Sequence, residues 1–204
     1  MDDTSGGDEI VYAYKATLMG GAWVLRLAPD ALLWSLGAMS GRVPYRDIRR
    51  IRLGFRPVTM QSYRFLAEIW ADKSPKIQIA SASWKSLLEQ ERQDAAYVRF
   101  IKALHARIRE AGGTPHLTAG AIPFLYWPGF VIFAGICIAM LALIFRAIQQ
   151  GEMTATLFLL GFFAVLLWQL GMFFKRNLPR RYTLDAIPAD ILPTPAKPEP
   201  TPPG

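Results

Sequence analysis

Two long stretches without a charged side chain constrain the fold of this 204-residue chain more than any other feature. Leu117 to Phe145 is 29 residues long and Met153 to Phe174 is 22 residues long, and neither contains Asp, Glu, Lys or Arg. About 20 apolar residues in a helix span the hydrocarbon core of a bilayer. The sequence therefore predicts two transmembrane helices, near residues 124–145 and 154–174, which form a hairpin within residues 123–175.

Basic residues flank this predicted hairpin unevenly. Only Arg146 lies between the two spans, whereas Lys102, Arg107 and Arg109 precede the first span. A juxtamembrane basic cluster follows the second span and consists of Lys175, Arg176, Arg180 and Arg181. Because loops rich in Lys and Arg stay in the cytoplasm, we expect both termini to be cytoplasmic. The acidic N-terminus also differs from the basic start of a signal peptide, so we expect the first domain to begin in the cytoplasm.

Residues before the hairpin alternate between apolar and polar side chains, as strands do. Six β-rich runs are separated by Gly, Pro, Ser and Asp turns and cover residues 10–18, 22–28, 31–37, 49–55, 62–72 and 76–83. Consecutive short strands of this kind predict an antiparallel sandwich or barrel. The stretch Arg42–Tyr45 is compatible with either a strand or a loop, so the pattern leaves six or seven strands open.

The pattern then changes to helical spacing within residues 91–113. The apolar positions of this amphipathic pattern are Tyr97, Ile101, Leu104 and Ile108. Ser86 and Glu89 have the spacing of a capping box, and Gly112 and Gly113 mark the end of the helix. The sequence predicts one amphipathic helix of about 20 residues that closes the strand-rich domain.

A strand-rich domain closed by a C-terminal helix resembles the bacterial pleckstrin-homology-like domains of small membrane proteins. The residues that carry the resemblance are "LAPDALLWSLGAMSGRVPYRDIRRIRL", residues 27–53, together with the terminal helix. The resemblance covers residues 10–111. It implies an α+β fold class: an antiparallel pleckstrin-like β-sandwich or barrel capped by a C-terminal helix, followed by the transmembrane hairpin. It also implies a binding or scaffold module of the bacterial inner membrane, not an enzyme.

The remaining segments differ from the domain and the hairpin in composition. Residues 1–9 are acidic and rich in Gly, and we predict that they are disordered. Residues 112–122 are predicted to be a linker. Residues 176–204 are first basic and then rich in Pro, and we predict a disordered tail in this region.

The predicted strand around residue 51 has one apolar and one basic side. Ile51, Leu53 and Phe55 fall on one face of an extended strand, and the arginines between them fall on the other. Ile48 breaks this alternation, so a bend is expected at residues 47–49.

The basic face is the candidate binding surface, and it consists of Arg46, Arg49, Arg50, Arg52 and Arg56. Residues 10–113 hold 17 Lys and Arg against 8 Asp and Glu, a balance that favours acidic partners. A tethered domain stays near anionic headgroups, so membrane lipids are the expected partner, and a solvated face without a ligand is the alternative. No nucleic-acid-binding motif accompanies the charge, and we expect no nucleic-acid partner. Asp47 is expected to pair with Arg46 or Arg49, or to cap a turn.

Catalytic and metal-binding motifs are not found in this sequence. His105 lies beside the apolar stripe of the predicted helix and His116 lies in the predicted linker, so neither is expected to be a base or a ligand. Cys137 is the single cysteine, which excludes a disulfide framework and a cysteine-based metal site. We therefore expect no metal, no cofactor and no enzymatic activity.

Small and polar residues in the two predicted spans indicate helix packing. The candidate packing positions are Gly135, Ala139, Gly161, Gln169 and Gly171. Packing within the hairpin and homo-oligomerisation are both compatible with them.

Together these features predict a membrane-anchored cytoplasmic module whose arginine-rich face docks on anionic lipid headgroups or on a protein partner. One alternative is an accessory subunit of a larger membrane complex, with another membrane protein as its partner. A second alternative is a small transporter or a lipid-modifying enzyme, although neither span has an ionisable residue at its centre.

Overall fold

The computed structural model describes residues 10–17, 20–57, 63–85 and 90–193. Three predictions lie outside these residues: the disordered N-terminus at 1–9, the capping box at Ser86–Glu89, and the Pro-rich tail beyond residue 193. The chain divides into two compact units. An amino-terminal unit contains residues 1–119 and 181–204, and a second unit contains residues 120–180.

The strands and helices of the described residues have the following bounds. The strands are β1 (Ile10–Lys15), β2 (Ala22–Leu27), β3 (Ala31–Leu36), β4 (Met39–Pro44), β5 (Ile48–Pro57), β6 (Tyr63–Ala71), β7 (Ile77–Ala80), β8 (Ala82–Trp84), β9 (Gln90–Arg92), β10 (His116–Ala119) and β11 (Arg180–Arg181). The helices are α1 (Asp94–Glu110), α2 (Pro123–Gln149) and α3 (Met153–Arg176). A mixed α+β class with antiparallel sheets is therefore confirmed.

Two sheets form the amino-terminal unit. The first has the strand order β1-β2-β3-β4, with antiparallel neighbours throughout. The sequence pattern of residues 42–45 was compatible with a strand or a loop. In the structure residues 42–44 are the end of strand β4, which extends to Pro44. The second sheet has the order β11-β10-β5-β6-β7, in which β5, β6 and β7 are antiparallel. Strands β8 and β9 form a separate antiparallel pair.

Residues 112–122 were predicted to be a linker, and the structure differs. His116–Ala119 form β10, which runs parallel to β5 and pairs Leu117 with Ile51. Leu117 and Ala119 are buried, because they lie on the same side of the sheet as the apolar residues of β5. Residues 116–119 of the predicted linker thus belong to the sheet.

Strand β5 bends at its start, as its sequence pattern predicts. A 3₁₀ turn at Tyr45–Asp47 leads into the strand, and the register to β6 shifts between Ile48 and Arg50. This bulge turns both Ile48 and Ile51 into the core, where they are 1% and 0% exposed. The alternation then continues, with Leu53 buried.

Both sheets and α1 share one hydrophobic core. Two tyrosines of β1 connect the sheets: the Tyr12 hydroxyl donates to the Ala80 carbonyl at 2.6 Å, and the Tyr14 hydroxyl donates to the Gln78 carbonyl. Helix α1 begins at Asp94, later than predicted, because residues 90–92 form β9. Its predicted apolar stripe is confirmed, since Tyr97, Ile101, Leu104 and Ile108 are all fully buried, together with Phe100.

The segment after α3 was predicted to be disordered, and the structure contradicts this for residues up to 193. Ile191 and Leu192 are 1% and 8% exposed and belong to the core of the amino-terminal unit. Tyr182 and Ile187 also pack against that core. The physical reason is that these side chains are apolar, and their burial in the core stabilises an otherwise irregular backbone.

Helices α2 and α3 are long and apolar enough to cross a membrane, and most of their surface is exposed. They extend the predicted spans to 27 and 24 residues. Near one end of the pair, Phe174 packs against Phe130 and Phe133, and the Tyr126 hydroxyl donates to the Phe174 carbonyl at 3.3 Å.

The predicted glycine packing within this pair is not observed. A Cβ atom at Gly135, Gly161 or Gly171 would have no neighbouring heavy atom within 4 Å, and both Ala139 and Gln169 are exposed. At that end the ring of Phe174 lies against Phe130, Phe133 and Gly129, and Gly129 was not among the predicted packing positions. A one-dimensional pattern does not tell which side of a uniformly apolar helix faces its neighbour.

Candidate functional site

The exposed side of the five-stranded sheet brings basic, acidic and aromatic side chains together. Residues that pair across neighbouring strands project to the same side, and Arg50 pairs with Trp70 while Arg52 pairs with Glu68. The opposite side of the same strands carries Ile51 and Leu53, which are fully buried. We call the cluster of Arg50, Arg52, Glu68, Trp70 and Lys76 the Trp70 face.

Three cations surround the ring of Trp70. The guanidinium carbons of Arg50 and Arg52 lie 5.8 and 5.5 Å from the ring centre, and the ammonium nitrogen of Lys76 lies 5.6 Å from it. Each distance is within the range of an attractive cation–π contact. The indole therefore holds three positive charges close together on an accessible part of the sheet.

Glu68 is the carboxylate beneath these cations, and only 2% of its side chain is exposed. It accepts hydrogen bonds from Arg52 Nε at 2.6 Å, Lys76 Nζ at 2.8 Å and Gln78 Nε2 at 3.1 Å. Burial opposes ionisation, but the hydrogen bonds from Lys76 and Arg52 outweigh it and lower the pKa of Glu68. The carboxylate thus stays charged and fixes two of the three cations.

The predicted arginines have different partners and do not form one free basic surface. Arg46 Nε donates to the Ala111 carbonyl at 2.7 Å, and Arg49 Nε donates to Asp72 at 2.7 Å. This Arg49 contact lowers the pKa of Asp72 through its hydrogen bond. Asp47 was expected to pair with Arg46 or Arg49, or to cap a turn. The carboxylate bound to Arg49 is that of Asp72, and Asp47 lies in the 3₁₀ turn that leads into β5.

Of the remaining predicted arginines, Arg50 and Arg52 belong to the Trp70 face. Arg50 is exposed, and Arg52 is held by Glu68. The side chain of Arg56 lies outside the part of the chain that the structure describes. The juxtamembrane cluster divides as well, because Lys175 and Arg176 end α3 while Arg180 and Arg181 form β11.

Sequence reasoning missed Glu68, Trp70 and Lys76 as members of the face. The sequence contains a signal for them. Glu68 and Trp70 alternate with the apolar residues Ala67 and Ile69, so in a strand they project to the side of the sheet opposite to those two residues. Finding the face also required the register between β5 and β6, which sets Trp70 beside Arg50. No local pattern specifies that register.

The two histidines have ordinary surroundings. His105 is 1% exposed; its Nδ1 contacts the Ile101 carbonyl at 2.8 Å and its Nε2 contacts the Tyr182 hydroxyl at 3.0 Å. Burial lowers the pKa of His105, so the ring is neutral near pH 7. His116 is exposed at the start of β10. Within the described residues, no three His, Cys, Asp or Glu side chains gather as metal ligands.

Comparisons with family models, with curated proteins and with solved structures found no match to this chain. The physical properties of the Trp70 face and of the two apolar helices therefore carry the functional argument.

Proposed function

We propose that this protein is a membrane-anchored binding module whose Trp70 face docks on anionic lipid headgroups. The observation that carries the proposal is the arrangement of Arg50, Arg52 and Lys76 around Trp70 on the exposed side of the sheet. Anionic lipids attract Lys and Arg near a bilayer surface by about 1 kcal/mol each. Trp is favoured at the headgroup level, because its ring is apolar and its N–H is polar.

The charge balance around the face supports an anionic partner. The end of the sheet formed by β5, β6 and β7 carries five cations, Arg49, Arg50, Arg52, Lys73 and Lys76, and three carboxylates, Asp47, Glu68 and Asp72. The local excess is two positive charges. Because Glu68 is almost fully buried, the accessible groups are mainly cationic. An exposed cationic face of a sheet suits a layer of anionic headgroups.

The fold supports the pleckstrin-like assignment in its order of elements. Four antiparallel strands are followed by the antiparallel strands β5, β6 and β7, by the β8–β9 pair and then by α1, which packs on β1 and contributes Phe100 and Leu104 to the common core. The proposed class is a binding or scaffold domain of this type. Strands β10 and β11 extend the second sheet beyond that plan.

The proposed location is the bacterial inner membrane, crossed twice by α2 and α3, with both termini in the cytoplasm. Residues on both sides of the hairpin belong to the same compact unit, which supports both ends of the hairpin lying on one side of the bilayer. The distribution of basic residues supports the cytoplasmic side, since Lys175 and Arg176 end α3 while Arg146 is the one basic residue between the two spans.

Vesicle binding of the amino-terminal unit without its hairpin tests the docking proposal. The test protein joins residues 10–120 to residues 177–193 through a short Gly-Ser linker, because an excised 10–113 fragment would lack β10 and the buried Ile191. We expect it to sediment with anionic vesicles at low salt, to be released at higher salt and to ignore neutral vesicles.

A double variant and a matched control identify the surface. Arg50→Gln with Lys76→Gln removes two charges but keeps hydrogen-bond donors beside Glu68, and binding should fall about 30-fold at about 1 kcal/mol for each charge. Lys15→Gln with Arg26→Gln removes two charges from exposed positions of β1 and β2 and should leave binding almost unchanged. Equal losses in both variants, or no binding to anionic vesicles by the parent, would contradict the proposal.

A protein partner in the membrane is the second candidate, and one observation favours it. A Cβ atom added at Gly135, Gly161 or Gly171 would meet nothing within 4 Å, so these parts of the helices are open to close approach by another helix. Purification in a mild detergent tests this candidate. A stoichiometric second protein that is lost with Gly135→Leu would support an accessory subunit, and a single species unaffected by Gly135→Leu would oppose it.

A further inference from the structure

The last described segment of the chain, residues 181–193, completes the amino-terminal unit, and we call it the strap. Its apolar anchors are Ile191 and Leu192, which lie in the common core, and Tyr182, which packs on that core. A buried Ile contributes about 2 kcal/mol or more through the apolar area that it removes from water. The strap is therefore part of the fold of that unit.

Polar contacts fix the strap to α1 and β10 at defined positions. Nδ1 of His105 lies 2.8 Å from the Ile101 carbonyl and donates to it, which leaves Nε2 to accept from the Tyr182 hydroxyl at 3.0 Å. The Tyr182 N–H donates to the Leu117 carbonyl at 3.4 Å. A buried histidine whose two nitrogens are both satisfied requires the Tyr182 hydroxyl in this place.

An exposed ion pair adds a third connection. Arg109 Nη1 lies 2.7 Å from Asp185 Oδ1, near the C-terminal end of α1. This pair contributes little by itself, because both side chains are more than half exposed. It is, however, a second contact between α1 and the strap, in addition to the hydrogen bond between His105 and Tyr182.

The strap is part of the amino-terminal unit but follows the hairpin in the sequence. The two parts of the amino-terminal unit, residues 1–119 and 181–204, are separated by the whole of the second unit. The chain enters the second unit near residue 120 and leaves it near residue 180. These two places are close together, since the Ala121 N–H donates to the Asn177 carbonyl at 2.9 Å. A Cβ atom at Gly120, whose φ is +86°, would come within 2.7 Å of the Asn177 oxygen, so only glycine allows this approach.

We propose that the strap reaches its place only when both ends of the α2–α3 hairpin lie on the same side of the bilayer, so that the amino-terminal unit completes its fold after correct insertion of the hairpin. The inference rests on the proposed membrane insertion. If α3 failed to return across the bilayer, the strap would be separated from α1 by a hydrocarbon core about 30 Å thick. The unit would then lack Ile191 and would leave His105 Nε2 without its partner.

Two insertions in the full-length chain test this coupling. A 20-residue Leu/Ala segment between Leu178 and Pro179 adds a third span and moves the strap to the opposite side of the bilayer. A 20-residue Gly/Ser segment at the same point has the same length but leaves the strap on the original side. Both proteins are reconstituted in vesicles, and the midpoint of thermal unfolding of the amino-terminal unit is measured by pulse proteolysis.

Point variants in the uninterrupted chain provide the reference. Ile191→Ser removes a buried anchor, and Ala189→Ser changes an exposed residue of the same 3₁₀ turn. We expect Ile191→Ser and the Leu/Ala insertion to lower the midpoint by about 10 °C, and Ala189→Ser and the Gly/Ser insertion to lower it by less than about 3 °C.

The outcomes that overturn the proposal are specific. Equal midpoints for the two insertions would show that the side of the membrane does not matter, and equal midpoints for Ile191→Ser and Ala189→Ser would show that the strap is not part of the fold. Alkaline carbonate extraction reports insertion of the hairpin separately, and vesicle binding of the Trp70 face is a different measurement. Failure of the proposed function is thereby distinguishable from failure of the coupling.

Discussion

The exposed sides of the two sheets organise their cations differently. On the five-stranded sheet, Trp70 and the buried Glu68 hold Arg52 and Lys76 in fixed positions. On the four-stranded sheet, Arg26 and Arg42 lie on either side of Leu33 in one cross-strand row. There Arg42 pairs with Asp30, and both side chains are more than half exposed.

This difference predicts that cations held in fixed positions favour docking more than the same cations on a solvated face would. An exposed ion pair is weak because water competes for both partners, whereas a carboxylate that is 2% exposed holds its cations firmly. The shallow depression of about 630 Å³ on the four-stranded sheet is lined by Val24, Leu33, Trp34 and Ser35 as well as by its two arginines, and the carboxylate that pairs with Arg42 there is the exposed Asp30, not a buried one. It therefore serves as the natural control surface.

The largest expected difference is in the loss of unfolding free energy when the acidic partner of each face is removed. Glu68→Ala should lower the free energy of unfolding by about 2–4 kcal/mol, because it leaves Arg52 and Lys76 without their buried carboxylate. Asp30→Ala should cost less than about 1 kcal/mol, since its ion pair is exposed. Urea unfolding of the full-length protein in detergent measures both changes. Equal losses would remove the distinction between the faces.

Acid should reveal the same difference. The pKa of Glu68 is below its ordinary value of 4.5, so the stability due to this group is complete above about pH 4.5 and is lost as the pH falls through its lowered pKa. Glu68→Gln, which does not titrate, should have a flatter stability profile below pH 4.5 than the parent has. Unfolding midpoints between pH 3 and pH 6 measure this, and parallel profiles would contradict an ionised, hydrogen-bonded Glu68.

A smaller effect is expected from the aromatic ring alone. Trp70→Leu keeps an apolar side chain but removes the surface that positions three cations, and binding to anionic vesicles should fall about 10-fold. The corresponding change on the control surface, Leu33→Ala, should leave binding within about twofold of the parent. Co-sedimentation at a fixed ionic strength makes the comparison. Identical losses would show that a general apolar surface, and not Trp70, contributes to binding.

Local sequence patterns predicted much of the amino-terminal unit. The run around Ile51 and Leu53 was identified as a strand with one buried side, and the irregular parity of Ile48 located the bulge. Alternation and helical spacing are local properties, and tertiary packing here agrees with them. Helix α1 was identified for the same reason, although its first residue, Asp94, was not.

The missed parts depend on contacts between residues distant in sequence. Strand β10 was hidden because Leu117 and Ala119 continue directly into the uncharged first span, so composition shows no boundary. The strap was missed because Ile191 and Leu192 stand among prolines, and only a core contributed by other elements explains their burial. The partners of Arg49 and Arg52 likewise follow from the register of β5 with β6.

Thiol accessibility in the reconstituted full-length protein tests the central claim most directly. In a Cys137→Ala background, Thr118→Cys places a thiol on the side of Arg52, its partner across the β10–β5 pair, and Ser35→Cys places one on the exposed side of the four-stranded sheet. Labelling by a membrane-impermeant maleimide is compared in neutral and anionic vesicles. We predict that anionic lipid slows labelling of Thr118→Cys at least 10-fold, reversibly with salt, and leaves Ser35→Cys unchanged. Equal rates for Thr118→Cys in both vesicles would contradict docking of the Trp70 face on the membrane.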